Sequence, residues 1–286
     1  TKEPGSTGEP LLLDVRSVLY GREGAPIVIG GRYGLASKDT KPGDIIAVYD
    51  NLAAEISKTD FTIGIVDDVT MKSLTEVHGI STEPEGTISC KFWGLGSDGT
   101  VGANKSAIKI IGDNTDQYAQ GYFEYDSKKS GGITISHLRF GKNKIQSTYF
   151  VSSANFVACH NPAYIHQYDM LDDLKDGGIF LLNCVWNRAE LDEKLPNSVK
   201  RTLAEKHAQF YTINAVKIGQ EIGLGNRINM IMQTAFFALT KVIPVEEAIA
   251  HLKTSVVENY GFMGEDIVAM NNKAIEMGAT AFEKID

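Results

Sequence analysis

Apolar and polar residues change rhythm several times along the chain, and the changes mark out its elements. Ile27, Val28 and Ile29 form a short apolar run that ends in Gly30-Gly31-Arg32-Tyr33-Gly34. Helical spacing of apolar residues predicts a helix from Pro42 to Ala54, and Phe61–Val66 returns to an extended pattern. Strand, helix and strand in succession predict a β-α-β unit with a parallel pair. The polar stretch from Asp67 to Gly86, which contains Pro84, reads as a boundary.

Beyond the boundary the alternation is more regular. Period-two patterning predicts strands at Thr87–Trp93, Gly121–Tyr125, Ile133–Phe140, Phe156–Cys159, Ile179–Cys184 and Phe210–Ile213. Helical spacing predicts helices at Ala103–Ile111, Ile165–Leu174, Ser198–His207, Ala215–Ile222, Ile228–Thr240, Val245–Tyr260 and Asp266–Met277. Pro244 falls at a helix start, where its missing N–H costs little, and Gly223 and Gly261 fall where helices are capped. The interleaving predicts an α/β fold. A doubly wound, mostly parallel, Rossmann-like sheet spans residues 86–286, preceded by a partial smaller α/β segment in residues 1–85. Sheets of this kind bind ligands at the carboxyl ends of their strands.

Composition narrows the function classes. With 286 residues, 43% of them hydrophobic, the chain buries a sizeable core without staples. A net charge of −8 argues against nucleic acid and anionic membrane as partners. Cys90, Cys159 and Cys184 are scattered and form no CxxC. That spacing gives no zinc or cluster site and fits reduced thiols in a cytoplasmic protein. No apolar run is long enough to span a bilayer. The opening Thr1–Pro10 is polar and rich in Pro and Gly, and reads as a connector or a trimmed terminus.

The chemistry concentrates in Phe92-Trp93-Gly94-Leu95-Gly96-Ser97-Asp98-Gly99-Thr100-Val101-Gly102-Ala103-Asn104-Lys105-Ser106. A glycine-rich turn between a strand and a helix leaves N–H groups free at the helix N-terminus, where they and the dipole favour a phosphate. Ser97, Thr100 and Lys105 add possible donors. The spacing to Lys105 is wrong for a P-loop. Gly94, Gly96 and Gly99 fit G-x-G-x-x-G, but no acidic residue ends the next strand to take a ribose. Gly96-Ser97-Asp98-Gly99 is a little like the Gly-Asp-Gly of thiamine diphosphate enzymes, without the downstream asparagines that hold the metal. A ligand-free strand–helix turn stays open as the bland reading.

Two further segments could face the same cleft. Asp126-Ser127-Lys128-Lys129-Ser130-Gly131-Gly132 puts two lysines before a strand, as a solvated hairpin tip or as a phosphate clamp. Gly223-Leu224-Gly225-Asn226-Arg227-Ile228-Asn229-Met230 opens a helix, with asparagines that either cap it or donate to a ligand. Asn229 and Gln233 share one helical face. No metal-ligand spacing appears. His160 beside Cys159 is a poor nucleophilic pair, because neighbours on a strand point to opposite faces. Asp67-Asp68 and Asp172-Asp173 read as a strand end and a solvated helix face.

Four long segments carry a resemblance: GLGSDGTVGANKSAIKIIGDNT, AQGYFEYDSKKSGGITISHLRFG, FVACHNPAYI and GLGNRINMIMQTAFF. Together they resemble the gamma domain of pyruvate:ferredoxin (flavodoxin) oxidoreductases. GGRYGLASKD and FTIGIVDD resemble the end of the preceding transketolase-C-like domain. The resemblance implies a coenzyme A site formed by Gly96, Ser97, Asp98, Gly99, Thr100, Lys128, Asn229 and Asn271. It implies that the chain holds coenzyme A and does no chemistry of its own. Thiamine diphosphate, its Mg and the [4Fe–4S] clusters would lie in other domains of the polypeptide. Ferredoxin or flavodoxin would be the electron acceptor, and a homodimer the whole enzyme. A structural or dimerisation module without ligand is the alternative, resting on the apolar helix that carries Phe236 and Phe237. An independent dinucleotide enzyme is a third reading.

Overall fold

The structure is a computed structural model that describes residues 7–126 and 131–286. The chain divides into two units: one runs to Glu83 and takes in Gln146–Phe150, and the other comprises Pro84–Ile145 and Val151–Asp286.

The first unit contains helix α1 (Pro10–Leu19), strand β1 (Gly31–Arg32), helix α2 (Pro42–Ala53) and strand β2 (Phe61–Thr62). β1 and β2 pair in parallel, with Gly31 opposite Phe61. The expected β-α-β unit is present, but its strands are shorter than the sequence pattern. Ile27 is 94% exposed and Val66 is 90% exposed, and both lie outside the pair. The second strand ends before Gly64, whose φ is +76°. α2 starts at Pro42, and the Asp44 carboxylate accepts from the Lys41 N–H at 3.0 Å. Gln146–Phe150 joins this unit through local bonds, Phe150 N donating to Asp39 Oδ2 at 2.7 Å and the Tyr149 and Thr82 hydroxyls meeting at 2.9 Å.

The second unit is a seven-stranded sheet with helices on both faces. Its strands are β3 (Ile88–Leu95), β4 (Tyr118–Tyr125), β5 (Ile133–Gly141), β6 (Ala154–Cys159), β7 (Leu174–Asn183), β8 (Gln209–Ile213) and β9 (Phe282–Ile285). Their spatial order is β4-β5-β3-β6-β7-β8-β9. β3, β6, β7 and β8 run in parallel, β5 and β9 run against their neighbours, and β4 reverses again on the outer edge. The sheet is therefore mixed with mostly parallel strands.

Among the described residues the helices of this unit are α3 (Thr100–Asn114), α4 (Arg188–Lys194), α5 (Asn197–Glu205), α6 (Ala215–Glu221), α7 (Asn229–Thr240), α8 (Val245–Tyr260) and α9 (Glu265–Gly278). Alternate strand residues feed two cores. Cys90, Phe92, Phe156, Ala158 and Leu181 pack under α3, α6, α7, α8 and α9, while Val157, Cys159, Phe180 and Leu182 pack on the other face against α4. Phe236 and Phe237 of α7 are 1% and 0% exposed, with Phe236 wedged among Phe92, Phe140 and Phe156 and its ring tilted by 50° against that of Phe237. That burial removes the ground for reading the apolar helix as an interface.

Four expectations change. No helix forms over Ile165–Leu174. A short 3₁₀ turn at Pro162–His166 is followed by chain without regular structure, and Leu174 already opens β7. The apolar residues Ile165, Met170, Leu171 and Leu174 have helical spacing because they drop into the core from a loop. Asp173 is accordingly not on a helix face, and its carboxylate pairs with the Lys91 ammonium. α4 and β9 lie outside the sequence-based expectation. α4 carries a legible start signal, since the Asn187 side chain accepts from the Glu190 N–H and the Glu190 side chain accepts from the Asn187 N–H. Gly261 does not cap α8 in a left-handed conformation; with φ −55° it runs on into a 3₁₀ turn. No helix among the described residues is long and apolar enough to cross a membrane.

Candidate functional site

The carboxyl end of β3 turns into α3 through Gly96-Ser97-Asp98-Gly99. Asp98 makes the turn. Its carboxylate accepts from the Leu95 N–H at 2.9 Å and from the Thr100 N–H at 2.7 Å, while its own N–H donates to the Leu95 carbonyl at 3.0 Å. The chain then passes through Gly99 at φ +88°, where a glycine is favoured, and enters the helix. Ser97 also has a positive φ, +73°. An α-helix starts with four N–H groups that have no partner within the helix. Here that of Thr100 goes to Asp98 Oδ1 and that of Ala103 to the Gly99 carbonyl at 3.0 Å. Those of Val101 and Gly102 have no partner among the described residues.

Five contacts fix the loop. Thr100 folds its side chain over Gly94, where even a methyl group would lie 2.7 Å from the Thr100 hydroxyl. That hydroxyl lies 2.9 Å from Nδ1 of the buried His160, just beyond the end of β6. Asn229, the first residue of α7, donates from Nδ2 to the Asp98 carbonyl at 2.8 Å, and Gln233 one turn on donates from Nε2 to the Ala103 carbonyl at 3.0 Å. The Gly96 N–H donates to the Gly132 carbonyl at 2.6 Å, which ties the loop to the start of β5. Burial holds the His160 imidazole down to about 4, with the Asp98 carboxylate opposing the shift, so the ring is neutral near pH 7.

Between the loop and the β4–β5 end lies a cleft of about 330 Å³. Gly96, Ser97, Asp98, Gly99 and Val101 form one wall, and Asp126, Gly132 and Thr134 form the other. It sits at the carboxyl end of β3, the end at which open α/β sheets generally bind their ligands. The described lining carries carboxylates and no cation. Residues 127–130 fall outside the described residues.

The expected site residues divide accordingly. Gly96, Ser97, Asp98 and Gly99 line the cleft. Thr100 turns its hydroxyl inward to His160. Lys128 lies outside the described residues, between Asp126 and Gly132, which both line the cleft. Asn229 stands behind the loop and braces it, and does not cap its own helix. Asn271 is on α9, where its amide donates to the Ile267 carbonyl at 2.8 Å, and it is not in the described lining. Lys105 is not in the lining either; its ammonium lies 5.3 Å above the Phe123 ring, on another side of α3. Sequence reasoning misses His160 as a partner of Thr100. Only their three-dimensional register, with the His160 N–H donating to the Trp93 carbonyl at 2.9 Å, brings them together.

Cys159 and His160 do not form a nucleophilic pair. They face opposite sides of the sheet, and the Cys159 thiol, bonded to the Asn161 carbonyl at 3.0 Å, is pushed up to about 12 by burial. A thiol held so high is inert as a nucleophile. A dinucleotide site also loses ground. α3 leads to β4 on the sheet edge, which runs parallel to β3 but with the antiparallel β5 inserted between them, so β3 and α3 do not open the adjacent-strand βαβ unit of a dinucleotide fold.

The family model described as pyruvate ferredoxin/flavodoxin oxidoreductase matches residues 89–281. The chain is 59% identical over 285 residues to a pyruvate:ferredoxin oxidoreductase of Moorella thermoacetica, and 56% identical over 286 residues to a pyruvate-flavodoxin oxidoreductase of Enterobacter agglomerans. Both alignments cover 100% of the chain and 24% of the relative, so the chain spans about a quarter of the length of these relatives. Among solved structures it is similar to the pyruvate oxidoreductase subunit PORC of Thermotoga maritima. The TM-score is 0.56 at 14% identity, covering 70% of this chain and 99% of that one. It is also similar to a 2-oxoglutarate:ferredoxin oxidoreductase of Magnetococcus marinus, solved with 2-oxoglutarate, coenzyme A and succinyl-CoA bound. There the TM-score is 0.52 at 17% identity, covering 71% of this chain and 32% of that one.

Proposed function

Since the chain belongs to the pyruvate ferredoxin/flavodoxin oxidoreductase family, we propose that it is the coenzyme-A-binding region of such an enzyme and that its cleft holds the coenzyme for acyl transfer. The observation that carries this reading is the helix end itself. The N–H groups of Val101 and Gly102 have no partner among the described residues, and Val101 lines a preformed cleft beside a loop locked by Asp98, Asn229 and His160. At about 330 Å³ the cleft accommodates part of a coenzyme, at the lower end of the range for ligand pockets, roughly 300–1,000 Å³.

The mechanism is positional. No described group in the cleft is set up as a nucleophile or an acid–base pair, so the chain's contribution is to fix one end of the ligand. Holding a reactant in place supplies several kcal/mol toward the barrier of a reaction carried out elsewhere. Gly96–Thr100 would wrap the phosphates, Lys128 would supply the cation that the described lining lacks, and Asn229 would keep the loop in register. Asn271 would act from α9 in the longer polypeptide. The thiamine diphosphate with its Mg, the [4Fe–4S] clusters, the oxidation of pyruvate, the ferredoxin or flavodoxin acceptor and a homodimeric assembly belong to the parent enzyme, outside this chain.

Calorimetric titration of the 286-residue chain with coenzyme A tests the reading. Saturable binding in the micromolar-to-millimolar range is expected. Lys128→Ala should weaken coenzyme A more than dephospho-coenzyme A, if Lys128 meets the 3′-phosphate. No heat and no thermal shift at millimolar coenzyme A would sink the proposal.

A further inference from the structure

One buried hydroxyl in the cleft has nothing to bond among the described residues. Thr134 stands on β5 directly opposite Gly94 of β3, and it is 6% exposed. Its Oγ1 is buried without a hydrogen-bond partner, yet the residue lines the cleft. A hydroxyl in that state has lost its water and gained no partner in return, which is unfavourable. The neighbouring hydroxyl does not relieve it, because Thr100, seated over Gly94, is committed to His160. Three polar side chains at this end of the sheet therefore have distinct states: His160 and Thr100 are bonded to each other, and Thr134 is left over.

We propose that Thr134 is a further ligand-binding residue of this cleft, its hydroxyl donating to a phosphoryl oxygen of the bound coenzyme. The proposal rests on the reading of the cleft as the coenzyme A site. A phosphoryl oxygen is the chemistry that fits, because the same cleft presents the α3 N-terminus with Val101 in its wall. A buried threonine can also be a plain packing residue, and the strand supplies a comparison. Ser136, two residues along on the same face of β5, has an unpaired hydroxyl too, but it does not line the cleft. That pair gives the proposal its internal control.

The test compares Thr134→Val, Thr134→Ser and Ser136→Ala in the 286-residue chain, by calorimetry with coenzyme A and by thermal unfolding without ligand. Valine keeps the shape and removes the orphan hydroxyl. Thr134→Val should therefore unfold at the same temperature or a higher one, while its coenzyme A affinity falls about 10-fold or more. Thr134→Ser should keep affinity within about threefold, since the donor stays. Ser136→Ala should leave affinity unchanged. Unaltered affinity in Thr134→Val overturns the assignment and leaves the cleft reading standing. A fall in both stability and affinity also overturns it, making the residue a structural one. Absence of coenzyme A binding by the unsubstituted chain overturns the cleft reading and this inference with it.

Discussion

The amide nitrogen of Asn229 reaches across 131 residues of sequence to donate to the carbonyl oxygen of Asp98 at 2.8 Å. This bond satisfies an acceptor beside the first turn of α3 and holds the start of α7 against the back of the loop. Gly99 is the consequence: a Cβ there would lie 2.3 Å from Asn229 Nδ2, in a backbone conformation of φ +88° that disfavours any side chain. The two residues specify each other. Asn229→Ala should cost about 1–3 kcal/mol by leaving a part-buried carbonyl unbonded. Asn229→Asp should be worse, because it sets a carboxylate against that carbonyl. Urea unfolding of both variants measures the order, and equal losses would mean that the bond does not hold the loop.

Gly94 is a second site where shape decides. The Thr100 side chain occupies the place of its missing Cβ, with Thr100 Oγ1, Cβ and Cγ2 at 2.7, 2.8 and 3.0 Å from an added methyl group. Thr100 opens α3 and is 0% exposed, so it has no room to retreat. Gly94→Ala should destabilise by about 1–3 kcal/mol through overpacking and displace the loop. For a unit of this size that is a fall of about 2–4 °C in Tm for each kcal/mol. Scanning calorimetry checks the shift, and an unchanged Tm would show that α3 can slide away without cost.

How much of this site is legible in the sequence follows the range of each interaction. The β3–loop–α3 unit is readable because its signals are local: alternation up to Trp93, glycines at the turn, helical spacing from Ala103. Asn229 and Gln233 sit four apart, so their shared face is readable, and both do reach the N-terminal end of α3. Their targets are not readable, because nothing in either segment names the other. His160 is hidden for the same reason. Its role depends on β6 lying beside β3, although α3, β4 and β5 come between them in the chain. The sheet closes with β5 and β6 on either side of β3, and only that closure pairs Thr100 with His160. Thr134 gives no signal beyond its place in an alternating strand. Ile165–Leu174 misleads because apolar spacing alone does not separate a helix from a loop that drops side chains into a core.

The thiols should be silent in the folded chain. Cys90, Cys159 and Cys184 are 0%, 0% and 4% exposed, and burial pushes the thiols of Cys159 and Cys184 up, that of Cys159 to about 12. Neither is a thiolate at neutral pH, and reaction needs the chain to open first. Ellman's reagent should label the native chain slowly, at a rate set by unfolding, and should titrate all three cysteines at once in denaturant. Rapid labelling of one thiol in the native chain would show a locally open strand end.

His160 predicts the acid limb of stability. Burial holds its folded-state value down to about 4, against 6.5 in the unfolded chain. Between those values the unfolded state binds a proton that the folded state refuses, so stability falls as pH falls. The loss begins near pH 6.5 and is complete below about pH 4, amounting to about 3 kcal/mol at ~1.4 kcal/mol per pH unit. His137 is also held down by burial and adds a change of the same sign. Carboxylates titrate in the same window, so the informative quantity is a difference. His160→Gln removes the titration and should be less stable than the unsubstituted chain at pH 7, through loss of the Thr100 contact. That gap should shrink by about 3 kcal/mol between pH 7 and pH 4. Urea unfolding at each pH measures it. Parallel pH profiles for the two chains would show that His160 is not a buried neutral imidazole, and that the Thr100 hydroxyl is held by some other means.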